Sequence, residues 1–556
     1  MNQNLDRWQF WIDVGGTFTD CLARGPDGQT YKTKVLSSGI AKGSIGTDAS
    51  TNFADPSRAD EPDEFWIGAG VRFLDADGNV IGNSVVTGFR GGRFECEPSA
   101  PKNSHAYELD CGMAAPLLAI HEITRLPLNA PLPPADVYLG TTRGTNALLT
   151  RTGAKTAFVT TAGIRDLLVI GDQARPHLFK LSIEKPEPLY STAIEIEERI
   201  LFDGTVERVP DVESVKQKLE SLKQNGTESL AICLMHGYKF PQHEQLVGKI
   251  ASEIGFRDCR LSSEVAPLIK ILPRAETTVL DAYLNPVLRS YIDKIQSELG
   301  DGSELRLMTS AGGLVSRQRF SGKDCVLSGP AGGVVGAARV AQQVGISNVI
   351  GFDMGGTSTD VCRFDGEFEH EYETCKAGVR IVAPMLAIET VAAGGGSVCG
   401  FDGVRMTVGP ESAGAHPGPA CYGNGGPLAV TDVNLFLGRI DEHHFPFQLN
   451  RAAVEARLHE LAAEIEKATG QGISAIKLAE GFLKIANNKM ALAIRNVSVA
   501  KGYDPRTYAL VAFGGAGSQH SCAVATELGI ESILEHPNSS IPVSYTHLTL
   551  PTIYSV

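Results

Sequence analysis

The chain has 556 residues, 43% hydrophobic and 21% charged, with 50 Lys and Arg against 64 Asp and Glu for a net charge of −14. This balance is ordinary for folded globular chains and excludes disordered, collagen-like and disulfide-rich secreted classes; at roughly 100–200 residues per domain, the length predicts about three to five domain-sized units. The acidic excess removes a broad basic footprint for nucleic acid and disfavours docking on anionic lipid.

In chain order, residues 8–20 read as an apolar run, a Gly-Gly turn and a second run, the pattern of a β-hairpin. From 44 to the Pro-rich PLNAPLPP at 127–134 the texture changes to turns such as DADGN and GFRGG between short alternating runs, including Trp66-Ile67 and 83–86. This predicts a β-rich insert. Strands near 157–160 and 230–235 bracket a polar helix at 211–225, an α/β alternation. Residues 276–299 carry Leu280, Tyr283, Leu284, Val287, Leu288, Tyr291 and Ile292 near helical spacing. A Gly/Ala/Val-rich helix follows at 329–345, its small residues suited to close packing. Residues 377–426 are rich in Gly and Pro turns, 452–495 predict two or three helices, and 510–517 predict a strand entering a Gly-rich loop.

The 11 cysteines form no CxxC pair and no regular spacing, which reads as reduced, mostly buried thiols in a cytoplasmic protein. The first ten residues lack an apolar signal region, and no apolar run reaches the roughly 18 residues of a membrane span. Neither a membrane nor a nucleic-acid partner is expected.

The strongest signal is an internal repeat. Residues 12–20, IDVGGTFTD, and 352–360, FDMGGTSTD, both read apolar-D-x-G-G-T-x-T-D, with six polar or Gly positions matching 340 residues apart. Such a repeat in separate halves indicates a duplicated nucleotide-binding architecture. Gly-Gly at a hairpin tip allows positive φ and close approach, so backbone N–H groups can point at phosphate oxygens. Thr17, Thr19, Thr357 and Thr359 add hydroxyl donors. Asp13 and Asp353, each ending an apolar strand, can hold Mg²⁺ through water or orient an attacking water. Two such hairpins across a cleft would clamp the β- and γ-phosphates. The AFGGAGSQH run at 512–520 follows an apolar strand and can approach an adenosine through Gly514 and Gly515, or can be a tight strand–helix junction. Gly394-Gly395-Gly396-Ser397 lines the cleft or makes a sharp turn.

With these features, two DxGGTxTD hairpins and a late Gly-Gly loop resemble the actin, sugar-kinase and heat-shock-chaperone ATPases. Five further runs resemble the hydantoinase A/oxoprolinase family: GTTRGTNALL at 140–149, GDQARP at 171–176, LSGPAGGV at 327–334, TVAAGGGS at 390–397 and GPESAGAHPGPACY at 409–422. The resemblance spans residues 10–535 and is closest to members that act on 5-oxo-L-proline.

The resemblance implies an α/β, two-lobed actin-like ATPase fold with mixed sheets plus a β-rich insert. It divides the chain into the first phosphate hairpin (1–43), the insert (44–132), the remainder of lobe I (133–345), lobe II with the second hairpin and adenosine loop (346–540), and a tail (541–556). That tail, Thr-rich and without Asp, Glu, Lys or Arg, resembles nothing in the family and is expected to be non-native. The implied chemistry couples ATP hydrolysis to opening a cyclic amide, turning 5-oxo-L-proline, ATP and water into L-glutamate, ADP and phosphate. Opening an N-methylhydantoin ring and carboxylating acetone- or acetophenone-like ketones are the alternatives, and a pure ATP-driven conformational module is a third.

By motif match, Asp13, Gly15, Gly16, Thr17, Asp353, Gly355, Gly356 and Thr357 would hold the phosphates and Mg²⁺ or another divalent ion, with Asp13 and Asp353 the metal-binding and catalytic carboxylates. Thr19, Thr359, Gly394, Gly395, Gly514 and Gly515 complete the nucleotide set. Substrate candidates are Arg143, Thr145, Asn146, Asp172, Gln173 and Arg175. Arg175 is preferred over Arg143 for a substrate carboxylate, since a guanidinium fork engages two oxygens at once; either could instead form a salt bridge. His416 and Cys421 make half a zinc site at best. His236, His243 and His520 read as hydrogen-bonded structural residues. The resemblance also implies a hydantoinase B-like half or subunit as partner, and an oligomer.

Overall fold

The computed structural model describes residues 7–16, 18–45, 52–76, 78–172, 179–182, 185–414, 416–442, 445 and 448–535. The chain divides into two compact units, Met1–Gly329 with His370–Met385, and Pro330–Glu369 with Leu386–Val556.

The first unit begins with the expected hairpin. Strand β1 (Trp8–Val14) pairs antiparallel with β2 (Phe18–Arg24), and β2 with β3 (Thr30–Leu36). The apolar alternation of β1 buries Phe10, Ile12 and Val14. Six antiparallel strands then form a separate sheet: β4 (Ile40–Ser44), β5 (Asn52–Ala54), β6 (Gly70–Leu74), β7 (Val80–Arg90), β8 (Arg93–Glu97) and β9 (Ala106–Asp110), in the order β4-β9-β6-β7-β8-β5. This is the β-rich insert. It starts at β4, ahead of residue 44. Trp66-Ile67 lies in turns and not in a strand, because the buried Trp66 indole N–H donates to Glu61. Helix α1 (Ala115–Thr124) packs on β2 and β3 and so serves the first sheet.

The main sheet is completed by β10 (Ala135–Thr141), parallel to β1 and followed at once by helix α2 (Arg143–Leu149). A parallel α/β layer comes next: β11 (Thr156–Thr161), α3 (Leu167–Ile170), β12 (Thr192–Ile196), the small ladder β13 (Arg199–Ile200) with β14 (Val206–Arg208), α4 (Val212–Gln224), β15 (Ser229–Cys233), α5 (Gln242–Ile254), β16 (Asp258–Leu261) and α6 (Ser262–Val265). Its sheet order is β12-β11-β15-β16. Asp211 caps α4 by accepting from the Ser214 N–H at 2.9 Å. The long helix α7 (Ile271–Glu298) follows, then β17 (Glu304–Met308), parallel to β10, and β18 (Leu314–Ser316). The main sheet thus reads β18-β17-β10-β1-β2-β3, mixed as expected.

Helix α8 (Ser328–Gln343) leads into the second unit, where Ala337, Ala338 and Ala341 pack with Val349 and Val511. Strand β19 (Asn348–Met354) pairs with β20 (Thr359–Asp365) in the second hairpin. The chain then returns to the first unit through β21 (His370–Glu371), β22 (Thr374–Lys376) and β23 (Val379–Ile381), where Val379, Ile381 and Met385 join the core of the first unit. After β24 (Met385–Leu386) come β25 (Glu389–Val391), the hairpin β26 (Ser397–Phe401) and β27 (Met406–Ser412), helices α9 (Val430–Phe436), α10 (Arg451–Thr469) and α11 (Ala475–Val497), β28 (Ala509–Phe513), α12 (Gly517–Leu528) and β29 (Ile533–Glu535). The main sheet here is β25-β20-β19-β28-β29, with β19, β28 and β29 parallel.

The boundary therefore falls at Pro330 rather than 345, and residues 370–385 belong to the first unit. Two compact units replace the three to five domain-sized pieces expected from length. The reason is shared burial: Phe53, Phe73, Phe94 and Tyr107 of the insert lie in one continuous core with Phe10, Ile12 and Leu139 of the main sheet. The expected tail, 541–556, lies outside the described residues. Among those described, no helix is long and apolar enough to cross a membrane.

Candidate functional site

The two hairpins repeat each other bond for bond. In the first, Asp13 stands opposite Asp20 and Val14 opposite Thr19; in the second, Asp353 stands opposite Asp360 and Met354 opposite Thr359. The Gly15 N–H donates to the Phe18 carbonyl at 3.0 Å, and the Gly355 N–H to the Ser358 carbonyl at 3.0 Å. The residue before each Gly-Gly pair accepts from the loop after the neighbouring parallel strand: Val14 O from Thr142 N, and Met354 O from Ala516 N, both at 3.0 Å. Each sheet edge thus brings one DxGG tip against one strand-to-helix turn, β10 to α2 in the first unit and β28 to α12 in the second. The N–H groups of Gly16, Gly356 and Gly515 have no hydrogen-bond partner among the described residues, and all three glycines are exposed. Such N–H groups are suited to anionic oxygens.

In the first unit, Asp13 carries the informative atom. Its Oδ1 is sealed from solvent and has no hydrogen-bond donor. Burial pushes this carboxyl up to about 7 from its ordinary 3.8, and the facing Asp20 carboxylate adds to the rise while Lys34 opposes it. Lys34 is committed to Asp20, with its Nζ 2.8 Å from Oδ1. A buried carboxylate oxygen without a donor is costly alone and is satisfied by a cation. Asp13 therefore fits a divalent ion. Among the described residues no group of three or more His, Cys, Asp and Glu is placed to hold a metal.

Around Asp13 the structure gathers residues from three segments. Thr142 Oγ1 donates to Val14 O at 3.0 Å, Ser37 Oγ donates to Gly15 O at 2.8 Å, and a Cβ on Gly16 would lie 3.7 Å from Asn146 Nδ2. Gly329, opening α8, is close enough that its own Cβ would stand 3.8 Å from Asp13 Oδ1. Thr145 and Asn146, read from sequence as substrate residues, are thus part of the turn beside the first hairpin; Thr145 Oγ1 accepts from Leu327 N at 3.1 Å. Arg143 lies on the same turn with its guanidinium stacked 4.1 Å over the Tyr291 ring. Asp172 is ion-paired with Arg380. Thr17, Gln173 and Arg175 lie outside the described residues.

In the second unit, the Gly394–Gly396 loop lies along the hairpin tip. Gly395 N donates to Gly355 O at 3.0 Å and Gly396 N to Gly356 O at 2.6 Å, while Thr431 N donates to Gly395 O at 2.7 Å. A Cβ at Gly394 would meet the Thr357 carbonyl carbon at 2.6 Å, so only glycine permits this approach. Gly514 has φ +79°, and a Cβ there would stand 2.3 Å from Met354 O and 2.5 Å from Asp353 Oδ1. Asp353, Gly355, Gly356, Thr357, Gly394, Gly395, Gly514 and Gly515 are therefore neighbours. Thr19 and Thr359 are fully buried behind the tips, their hydroxyls engaged by Ser37 Oγ and Ala393 O.

Behind the Gly514 loop, His520 on α12 is buried between Asn434 Nδ2, 2.9 Å from its Nε2, and Asn487 Oδ1, 2.7 Å from its Nδ1. Burial, aided by Arg439, lowers its pKa to about 4, which keeps the ring neutral as this bonding requires. His243 is likewise bonded to Glu198 at 2.7 Å, while His236 makes an edge contact with the Tyr238 ring. Cys421 is buried with its thiol pushed well up by burial, and its backbone N–H caps Asp432 Oδ1.

Sequence reading missed Ser37, Thr142, Gly329 and Thr431. GTTRGTN and FGGAGSQ form equivalent turns, a relation of sheet position that their dissimilar residues do not spell out. The common signal is a Gly-containing turn between an apolar strand and a helix.

Known proteins frame these observations. Residues 274–549 match the family model Hydantoinase/oxoprolinase, and residues 115–255 match Hydantoinase/oxoprolinase N-terminal region. A 5-oxoprolinase of Saccharomyces cerevisiae is 43% identical over 77% of this chain and 37% of its own. The 5-oxoprolinase 1 of Arabidopsis thaliana is 42% identical over 74% and 35%. The chain thus spans about a third of the length of these relatives. The crystal structure of an ATP-dependent caprolactamase from Pseudomonas jessenii is similar at TM-score 0.68 and 28% identity, covering 97% of this chain and 70% of that one. Nucleotide-free acetone carboxylase matches at TM-score 0.68 and 21% identity, covering 97% and 69%, and shows the shared fold. The α/β fold with mixed sheets is the one shared with these two structures. On the family models and these relatives together, the chain belongs to the hydantoinase/oxoprolinase family.

Proposed function

We propose that this chain is the ATP-hydrolysing part of a 5-oxoprolinase, which activates the lactam of 5-oxo-L-proline for ring opening to L-glutamate. The observation that carries the ATP reading is the twin hairpin, with glycine N–H groups at both tips that have no partner among the described residues and the donorless buried oxygen of Asp13. A lactam carbonyl is a poor electrophile. Transfer of the γ-phosphoryl to its oxygen releases ADP and leaves an imidate-like carbon that water attacks; ring C–N cleavage then frees the amine and leaves an acyl phosphate, which a second water hydrolyses to carboxylate and phosphate. Asp13 and Asp353, each at its own hairpin, would be the carboxylates that hold Mg²⁺, whose charge would neutralise phosphate. The chain's own part is to orient the phosphates through Gly16, Gly356 and Gly515 and to keep the reacting groups in line. The names of the relatives support 5-oxo-L-proline as the ring. The caprolactamase likeness favours a second reading, a lactam without a carboxylate. The length of the relatives supports a hydantoinase B-like half or subunit as the partner in the ring-opening step.

The test is Mg·ATP binding by a fluorescent analogue, with ADP release measured alone and with 5-oxo-L-proline, caprolactam, hydantoin, or acetone plus bicarbonate. Asp13→Ala and Asp353→Ala are each expected to weaken Mg·ATP at least tenfold. Stimulation by 5-oxo-L-proline is expected, on adding the partner half if the chain alone is slow. ATP binding untouched by both substitutions would refute the site, and stimulation only by the ketone and bicarbonate would refute the lactam.

A further inference from the structure

A cavity of about 410 Å³ lies wholly within the first unit, against α3 and α7. That size is within the roughly 300–1,000 Å³ of small-molecule pockets. Leu168, Leu189, Val279 and Val379 supply apolar wall, while Lys185, Glu276 and Arg380 bring charge to it. Arg380 is held by three carboxylates: it pairs with Asp172, its Nε is 3.4 Å from Glu276 Oε2, and 3.6 Å from Glu373 Oε1. Glu276 Oε2 is sealed from solvent yet has no hydrogen-bond donor in good geometry. Burial raises the Glu276 carboxyl to about 7, with Arg380 opposing and Asp172 and Glu373 adding to the rise. Lys185 is bound only to backbone carbonyls, Ile170 O at 2.6 Å and Val169 O at 3.4 Å, and has no carboxylate partner among the described residues. Asp172 and Glu187 are the other acids on the wall.

A lactam has a distinctive edge. Its amide is cis, so ring N–H and C=O lie side by side, one donor beside one acceptor. Glu276 Oε2 and the Arg380 guanidinium present the complement, an acceptor beside a donor, at the wall of an apolar pocket. We infer that this cavity receives the lactam ring, Glu276 accepting the ring N–H, Arg380 donating to the carbonyl, and Lys185 pairing with the ring carboxylate of 5-oxo-L-proline. The inference rests on the lactam reading above and adds the residues that select the ring. It gives separable roles: the Glu276–Arg380 pair recognises any lactam, and Lys185 recognises the carboxylate.

The experiment is calorimetric binding of 5-oxo-L-proline and of the carboxylate-free 2-pyrrolidinone to the full chain without nucleotide. Lys185→Met is expected to weaken 5-oxo-L-proline at least tenfold and leave 2-pyrrolidinone unchanged. Glu276→Leu is expected to weaken both at least tenfold. If Glu276→Leu fails to fold, the exposed Lys185 still gives the discriminating result. Equal loss of both ligands in Lys185→Met, no loss in either variant, or no binding of either ligand to the parent would overturn the pocket. Lactam-stimulated ADP release that survives both substitutions would overturn the pocket while leaving the proposed activity standing. Intact lactam binding without any coupling to ATP would overturn the activity instead.

Discussion

Asp13 couples burial to pH in a direction opposite to most carboxylates. Its native pKa of about 7 lies above the ordinary 3.8, so the folded chain holds a proton that the unfolded chain has released. Stability from this group is therefore present at low pH and lost as pH rises from about 4 to about 7. Three units at 1.36 kcal/mol each set an upper bound of about 4 kcal/mol. Asp13→Asn removes the buried charge. The variant is expected to gain stability over the parent progressively from pH 4 to pH 7.5, read as urea midpoints, while losing Mg·ATP. An equal difference at both pH values would show that Asp13 does not titrate in this window. At this scale the sequence was informative about Asp13 and Asp353, since the duplicated motif names both. It was silent on Lys185, Glu276 and Arg380, which come from separate segments and meet only through tertiary packing.

At the scale of elements, both hairpins were legible because Gly-Gly between apolar runs has few other readings. The insert's boundaries and the Trp66 turn were not, since a two-residue apolar run carries no period and Trp66 is fixed by its bond to Glu61. The equivalence of the β10–α2 and β28–α12 turns was also hidden, because it is a relation between sheet positions. Gly514 provides its test. At φ +79° and 2.5 Å from Asp353 Oδ1, an added Cβ must displace the carboxylate or the Met354 carbonyl. Gly514→Ala is expected to cost about 2 kcal/mol or more of stability and to lower Mg·ATP affinity at least tenfold. A calorimetric melt and a nucleotide titration check both; a variant with parental values would mean that the loop does not brace Asp353.

At the scale of the whole chain, composition foretold unpaired thiols, and all 11 cysteines are free, seven of them buried, Cys21, Cys233 and Cys325 among them. No covalent crosslink contributes to stability. Excess dithiothreitol is therefore expected to leave the thermal midpoint unchanged, and a fall on reduction would contradict this. Length arithmetic overcounted the units because the insert shares its core with the main sheet, and burial is not visible in spacing alone.

The excursion of residues 370–385 into the first unit has a consequence for synthesis. Val379, Ile381, Ala383 and Met385 complete a core whose other buried members precede residue 329. A nascent chain emerging from the ribosome must already have begun the second sheet before the first unit can close. Folding in strict N-to-C order is thereby interrupted, and neither unit can be released as a fragment by a single cut in the gene.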